Sequence, residues 1–161
     1  MFKKFLFGLS AMAIFSGCLK SSPMEDPCDY DPCEFKAPQS EIQAVQDYLT
    51  SNGINATQDC SGLFYYVDGQ GTGANPGTCS IVTVQYEGRF TNGSVFEATT
   101  SPVSFGVNQV IRGWRNGLPK VKAGGSIYLY IPPSLAYGSS GNSSIPPNSI
   151  LIFKVDLIAV Q

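Results

Sequence analysis

The stretch Ile81-Val82-Thr83-Val84-Gln85-Tyr86-Glu87-Gly88-Arg89-Phe90 alternates with a period of two. Val82, Val84 and Tyr86 fall on one face, and Thr83, Gln85 and Glu87 on the other. That period belongs to a strand with one face buried and one face wet. Working outward, Asn92-Gly93 is a strong turn signal leading into Val95-Phe96, and a further run at 103–107 follows Ser101-Pro102. On the N-terminal side a first β run covers 63–67, and a loop from Asp68-Gly69 to Pro76-Gly77 joins it to the central strand. Strands are predicted again at 126–131 and 150–160. In the last of these Leu151, Phe153, Val155 and Leu157 face one way, with Lys154 and Asp156 opposite. A short helix at 112–118, ended by Pro119, interrupts the series. Strands outnumber helices and follow at hairpin spacing, so the pattern predicts an α+β domain: an antiparallel sheet with one helix against it.

Before the sheet the chain divides into three pieces. Residues 1–17 read as a signal peptide: Lys3 and Lys4, then an apolar run from Phe5 to Phe15 that is well short of the ~20 residues that span a bilayer. Ile14-Phe15-Ser16-Gly17-Cys18 resembles the lipobox of bacterial lipoproteins, with Phe15 where a leucine-like residue is usual. That resemblance implies lipidation of Cys18 and membrane attachment through it, with the domain in the periplasm or on the cell surface. Residues 18–38 are rich in Ser, Pro and acid and are read as a tether with too little apolar content to build a core. At 39–60 comes one extra short helix with its connector. Ser40 and Gln43 suggest a capping box, Ile42, Val45 and Leu49 with Tyr48 beside them form an apolar stripe, and Gly53 is the stop. The stripe is short, so it is expected to pack on the domain, and the chain is expected to be monomeric. The folded domain is assigned to 61–161.

Composition removes several classes of chemistry. The chain holds no histidine, which excludes Ser-His-Asp and Cys-His relays and His-ligated metals. The formal net charge is -2, more acidic once Lys3 and Lys4 are lost, and no basic patch with interleaved aromatics is present. Nucleic acid is therefore not an expected partner. Beyond Cys18 stand Cys28, Cys33, Cys60 and Cys79, an even set whose spacing matches no zinc ribbon or C-x-x-C motif. In an exported chain that set favours two disulfides over a metal site. Three pairings are open; Cys28–Cys33 with Cys60–Cys79 is the one favoured, the first being local and the second clasping two segments of the domain.

Two further stretches bear on function. Val110-Ile111-Arg112-Gly113-Trp114 holds the single tryptophan, and Leu135-Ala136-Tyr137-Gly138 sits in a loop rich in Pro, Gly and Ser. An indole beside an apolar run, with a tyrosine hydroxyl nearby, suits a dry pocket with one directional donor. Taken singly, Val84, Tyr86, Val110, Trp114, Leu151 and Phe153 would each pass for ordinary core.

Taken in order, these stretches resemble a family. Val84-Gln85-Tyr86-Glu87-Gly88, Gly93-Ser94-Val95-Phe96-Glu97, Val110 to Trp114, Ile131-Pro132-Pro133, Ala136-Tyr137-Gly138, Ile145-Pro146-Pro147-Asn148 and Leu151-Ile152-Phe153 are similar to the FKBP-type peptidyl-prolyl cis-trans isomerases. The resemblance implies a curved antiparallel sheet of about five strands wrapped on a short α-helix, with a proline ring bound between them. It implies Trp114 as the floor, Tyr86, Phe96, Val110, Ile111 and Phe153 as walls, Phe105 as an aromatic farther out, and Ile145 as a rim contact under a loop at 138–147. The Ile111 N–H and the Tyr137 hydroxyl are implied as donors to the peptide. It further implies proline-containing polypeptides as substrates, binding of macrolide inhibitors, a role in folding exported proteins, and no cofactor or metal. Two departures stand out. Glu97 replaces the family's usual aspartate, and the loop with Asn142-Ser143-Ser144 is slightly short. Glu97 also keeps open a second reading, a non-catalytic module that grips proline segments as a chaperone or assembly partner; a third is an envelope lipoprotein with a vestigial pocket.

Overall fold

A computed structural model describes residues 28–161. The signal peptide, Cys18 and the first part of the tether lie outside the described residues. Among the described residues two helices, α1 (Gln39–Ser51) and α2 (Arg112–Gly117), accompany seven strands: β1 (Thr57–Gln58), β2 (Phe64–Gly69), β3 (Ile81–Phe90), β4 (Val95–Ala98), β5 (Val103–Gly106), β6 (Gly125–Ile131) and β7 (Leu151–Val160). Three 3-10 turns lie at Val107–Gln109, Leu118–Lys120 and Pro133–Leu135.

The alternation read in β3 is reproduced by its burial. Val82 and Val84 are fully enclosed, while Thr83 and Gln85 are only partly covered. On one flank β3 pairs with β7, from Val82 opposite Val160 to Phe90 opposite Leu151. On the other flank β5 and β4 follow one another along it, Val82 opposite Phe105 and Glu87 opposite Ala98. The sheet order is β1-β2-β6-β7-β3-β4, with β5 beside β4 on β3, and every pairing is antiparallel. β4 and β5 thus fill one row. The expected five rows are present, and β1 is a two-residue addition at the far edge, too short to show any period. Between Thr83 and Val84 the register with β7 shifts, leaving Ile158 as the extra residue. It is 45% exposed, on the same outer face of β7 as Lys154 and Asp156.

Leu129, Ile131, Leu151, Val155 and Leu157 are among the side chains of the buried core, each worth ~1.5–3 kcal/mol for its burial. Against them lies α2. A Cβ at Gly113 would stand 2.5 Å from Ile131 Cγ2, so glycine is what allows this helix to approach β6 so closely.

The N-terminal helix exists, but its start differs from the expected capping box. Pro38 is the N-cap, no side chain caps the helix, and Ser40 lies inside it. The fixed φ of proline starts the first turn, and the Pro38 carbonyl accepts from Glu41 N at 3.0 Å and Ile42 N at 3.1 Å. Gln43 turns instead to Asp47, donating to Oδ1 at 2.8 Å. Ile42, Val45 and Leu49 are buried, and Tyr48 packs on Tyr130 of β6 at 6.5 Å. Gly53, at φ +65°, turns the chain out of the helix while Ile54 N donates to Leu49 O.

Two expectations about the preceding segment are corrected. The disulfides are Cys28–Cys79 and Cys33–Cys60, not Cys28–Cys33 with Cys60–Cys79. Residues 28–38, read as part of a free tether, are instead strapped onto the domain. Tyr30 donates its hydroxyl to Asn116 Oδ1 at 2.6 Å, and the Arg115 and Arg112 guanidinium groups lie over the rings of Tyr30 and Phe35. Ala37 is buried, its N–H bonded to Ser61 O. The cause is covalent: each crosslink removes ~3–4 kcal/mol of chain freedom from the unfolded state, doing for this acidic stretch what apolar burial does elsewhere. Among the described residues no helix is long and apolar enough to cross a membrane, and no group of His, Cys, Asp and Glu is placed to hold a metal ion.

Candidate functional site

A cavity of about 370 Å³ opens between α2 and the sheet. Its floor is Trp114, 4% exposed, carried in the first turn of α2, where Ile111 O accepts from Trp114 N and Arg115 N. Ile111 is the N-cap of α2, so its own N–H precedes the helix and takes no part in those bonds. Val110 and Ile111 both line the cavity.

The walls are aromatic. Tyr86 from β3 meets the indole edge-on, with centroids 5.0 Å apart and planes at 87°. Phe153 from β7 does the same at 5.2 Å and 89°. Edge-to-face pairs of this kind are favourable beyond their burial and hold the rings at fixed angles. Phe105 also lines the cavity, its ring 5.5 Å from Trp114 and the farthest of the three from the indole. The short strand β5 ends one residue later, which brings this ring alongside α2.

Two predicted members stand elsewhere. Phe96 does not line the cavity; it packs behind Phe153 at 5.4 Å and against Phe90 at 4.9 Å. Ile145 is 4% exposed and belongs to the hydrophobic core, not to the rim. The local reason is Asn142, whose Oδ1 accepts from Ser144 N and Ile145 N and folds that loop inward. Conversely, Gln109 lines the cavity and was not anticipated. It closes the 3-10 turn Val107–Gln109, and a lone glutamine there carries no pattern by which sequence alone would find it.

Polar groups are few. Glu97 lines the cavity and accepts from the Tyr86 hydroxyl at 2.8 Å. Burial, reinforced by that bond, raises the Tyr86 pKa from 10.0 to about 12. Tyr137 also lines the cavity, 37% exposed, and its pKa is raised by burial and by the nearby Glu97 charge. Both phenols therefore stay protonated near neutrality and act as donors. The Trp114 Nε1–H is buried and has no acceptor among the described residues. Nothing here forms a nucleophile–base pair. The cavity is an aromatic cup, open to solvent, with Glu97, Gln109 and two phenols around it.

This architecture has known counterparts. Residues 73–158 match the family model described as FKBP-type peptidyl-prolyl cis-trans isomerase. The chain belongs to that family. It is 39% identical over 123 residues to the FKBP-type peptidyl-prolyl cis-trans isomerase FkpA of Aeromonas hydrophila, an alignment covering 72% of this chain and 45% of the relative. The crystal structure of FkpA from Escherichia coli superposes with a TM-score of 0.70 at 36% identity, covering 76% of this chain and 60% of that one. The crystal structure of a peptidyl-prolyl cis-trans isomerase from Pseudomonas syringae matches with a TM-score of 0.68 at 30% identity, covering 78% of this chain and 98% of that one. The chain spans about half the length of the curated relatives it matches.

Proposed function

We propose that the cavity accelerates cis-trans isomerisation of X-Pro bonds in polypeptides. The observation that carries this reading is the aromatic cup itself: Trp114 as floor, Tyr86 and Phe153 edge-on to it at 5.0 and 5.2 Å, and the Tyr137 phenol beside the same opening. Rotation about an amide costs ~18–20 kcal/mol because resonance holds it planar. At the twisted transition state that resonance is lost and the amide is less dipolar. A water-poor aromatic surface therefore disfavours the planar form more than the twisted one. The prolyl ring would rest on Trp114, with the flanking carbonyls held by the Ile111 N–H and the Tyr137 hydroxyl. No covalent intermediate or proton relay is needed. Family membership and the relatives' names support the same activity.

The test is an exchange measurement by NMR on a short X-Pro peptide, with and without the protein. Acceleration is expected. Binding without acceleration would instead favour the module that grips proline segments and does not turn them over.

In this reading 61–161 is the isomerase domain, and exported proteins of the bacterial envelope are its substrates. Two disulfides support an oxidising compartment. The resemblance of Ile14-Phe15-Ser16-Gly17-Cys18 to a lipobox supports attachment through a lipid on Cys18. Cys18→Ser is expected to abolish incorporation of labelled palmitate and release the protein from membranes; unchanged labelling would refute the anchor. A monomer and binding of macrolide inhibitors complete the proposal, to be checked by sedimentation and by competition with an X-Pro peptide.

A further inference from the structure

We propose that Glu41, on α1 and outside the stretch matched to the family, is a positioning residue that holds Tyr137 at the cavity by bonding to Ser134. This rests on the reading of the cavity as a prolyl isomerase site. Glu41 Oε2 accepts from Ser134 N at 2.8 Å, joining positions 93 apart in sequence. Ser134 is the second residue of the 3-10 turn Pro133–Leu135, whose N-cap is Pro132. Prolines at 132 and 133 carry no N–H, so Ser134 offers the first donor of the turn. Such a donor has no partner inside the turn, and a carboxylate is the strongest acceptor available to it.

The turn braced this way is the one that presents Tyr137. Pro133 O accepts from Ala136 N at 2.9 Å and from Gly138 N at 2.8 Å, closing the backbone around the tyrosine. Leu135 is fully buried beneath it, and Gly138 O accepts from Asn148 N at 2.9 Å on the far side. Glu41 is itself fixed, since the next residue, Ile42, is buried and α1 is anchored again at Val45 and Leu49. A second contact runs parallel: Tyr48 lies on Tyr130, just ahead of Ile131 and Pro132. The line from the buried stripe of α1 to the phenol thus passes through one charge-assisted bond. Donors that act on a reacting group must be held to within ~0.5 Å, so loosening this turn acts on turnover before it acts on folding.

The test is a double-mutant cycle in the full chain, read as kcat/KM for an X-Pro peptide. Glu41→Ala is expected to lower kcat/KM about three- to tenfold, the loss of part of one hydrogen bond to a charged group. Glu41→Asp, which keeps the charge but draws the carboxylate back, should lose similarly, and Glu41→Gln, which keeps an acceptor, should recover most of the rate. Asp47→Ala removes another carboxylate of α1 and should leave the rate unchanged within about 1.5-fold, an exposed surface change. In a Tyr137→Phe background, Glu41→Ala should add less than about 1.5-fold, because the group it positions is already gone.

Amide hydrogen exchange at Ser134 and Gly138 should speed up in Glu41→Ala and return to the wild-type rate in Glu41→Gln. An unchanged rate in folded Glu41→Ala, or the same loss with and without the Tyr137 hydroxyl, overturns the proposal. If the unaltered chain binds X-Pro peptide without isomerising it, the isomerase reading fails separately. The same cycle read as peptide Kd then decides the role of Glu41.

Discussion

The Tyr86 hydroxyl donates to Glu97 Oε1 across 2.8 Å, so the glutamate that replaces the family's usual aspartate still reaches the wall of the cavity. The additional methylene is absorbed at the end of the short strand β4, where Glu97 pairs with Gly88 and nothing crowds its outer side. Glu97→Gln keeps an acceptor and is expected to retain isomerase activity within about threefold, whereas Glu97→Ala frees the phenol and should cost about tenfold in kcat/KM. Equal activity in all three proteins would show that this bond does not hold Tyr86 in place.

Alkaline stability should carry the signature of the buried phenols. The Tyr86 pKa is pushed by burial, then by the Glu97 bond, from 10.0 to about 12, and burial does the same to Tyr130. Between those values the folded chain keeps protons that the unfolded chain has released. The stability from these groups is therefore complete below the unfolded pKa of 10.0 and is lost as pH rises to about 12. Urea midpoints measured across that range should fall with pH, and Tyr86→Phe should flatten part of the fall. A midpoint independent of pH there would contradict the raised values.

Trp114→Ala is expected to cost ~3–5 kcal/mol of stability, since it empties an indole from between three aromatic rings. Isomerase activity should fall below detection in whatever fraction remains folded. Denaturant unfolding and the peptide exchange assay, run on the same preparation, check both; turnover like that of the parent protein would remove the indole from the floor.

Peptide mapping without reductant should recover Cys28 joined to Cys79 and Cys33 joined to Cys60. Removing the second bridge by Cys33→Ala with Cys60→Ala should lower stability by ~3 kcal/mol through the regained freedom of the unfolded chain. Recovery of Cys28 joined to Cys33 would refute the strap.

Much of the sheet was legible because its information is local. The alternation in 81–90 and in 150–160 places one face inside and one outside and marks β3 and β7, and Asn92-Gly93 marks the turn from β3 into β4. Parity put Tyr86 and Phe153 on the inward faces of those strands, whereas their part in walling a cavity was implied only by the family resemblance. Ile145 and Phe96 show where this ends. The resemblance made Phe96 a wall and Ile145 a rim contact, but a side chain's apolar character does not say whether it faces the cavity or the core behind it. Gln109 shows the converse, a polar residue in the site with no periodic neighbour to reveal it.

From the order of residues alone came the α+β sheet, the expectation of a pocket near Trp114 and Tyr137, and a chain without histidine, since periodicity and side-chain type are properties of neighbours along the chain; the floor and walls of that pocket came from the family resemblance. Tertiary structure alone decided the pairing of the cysteines, the strap of residues 28–38 on α2, and the bond from Glu41 to Ser134. Each joins positions far apart in sequence, and a distance in space between such positions is set by how whole elements pack, not by any residue's own preference.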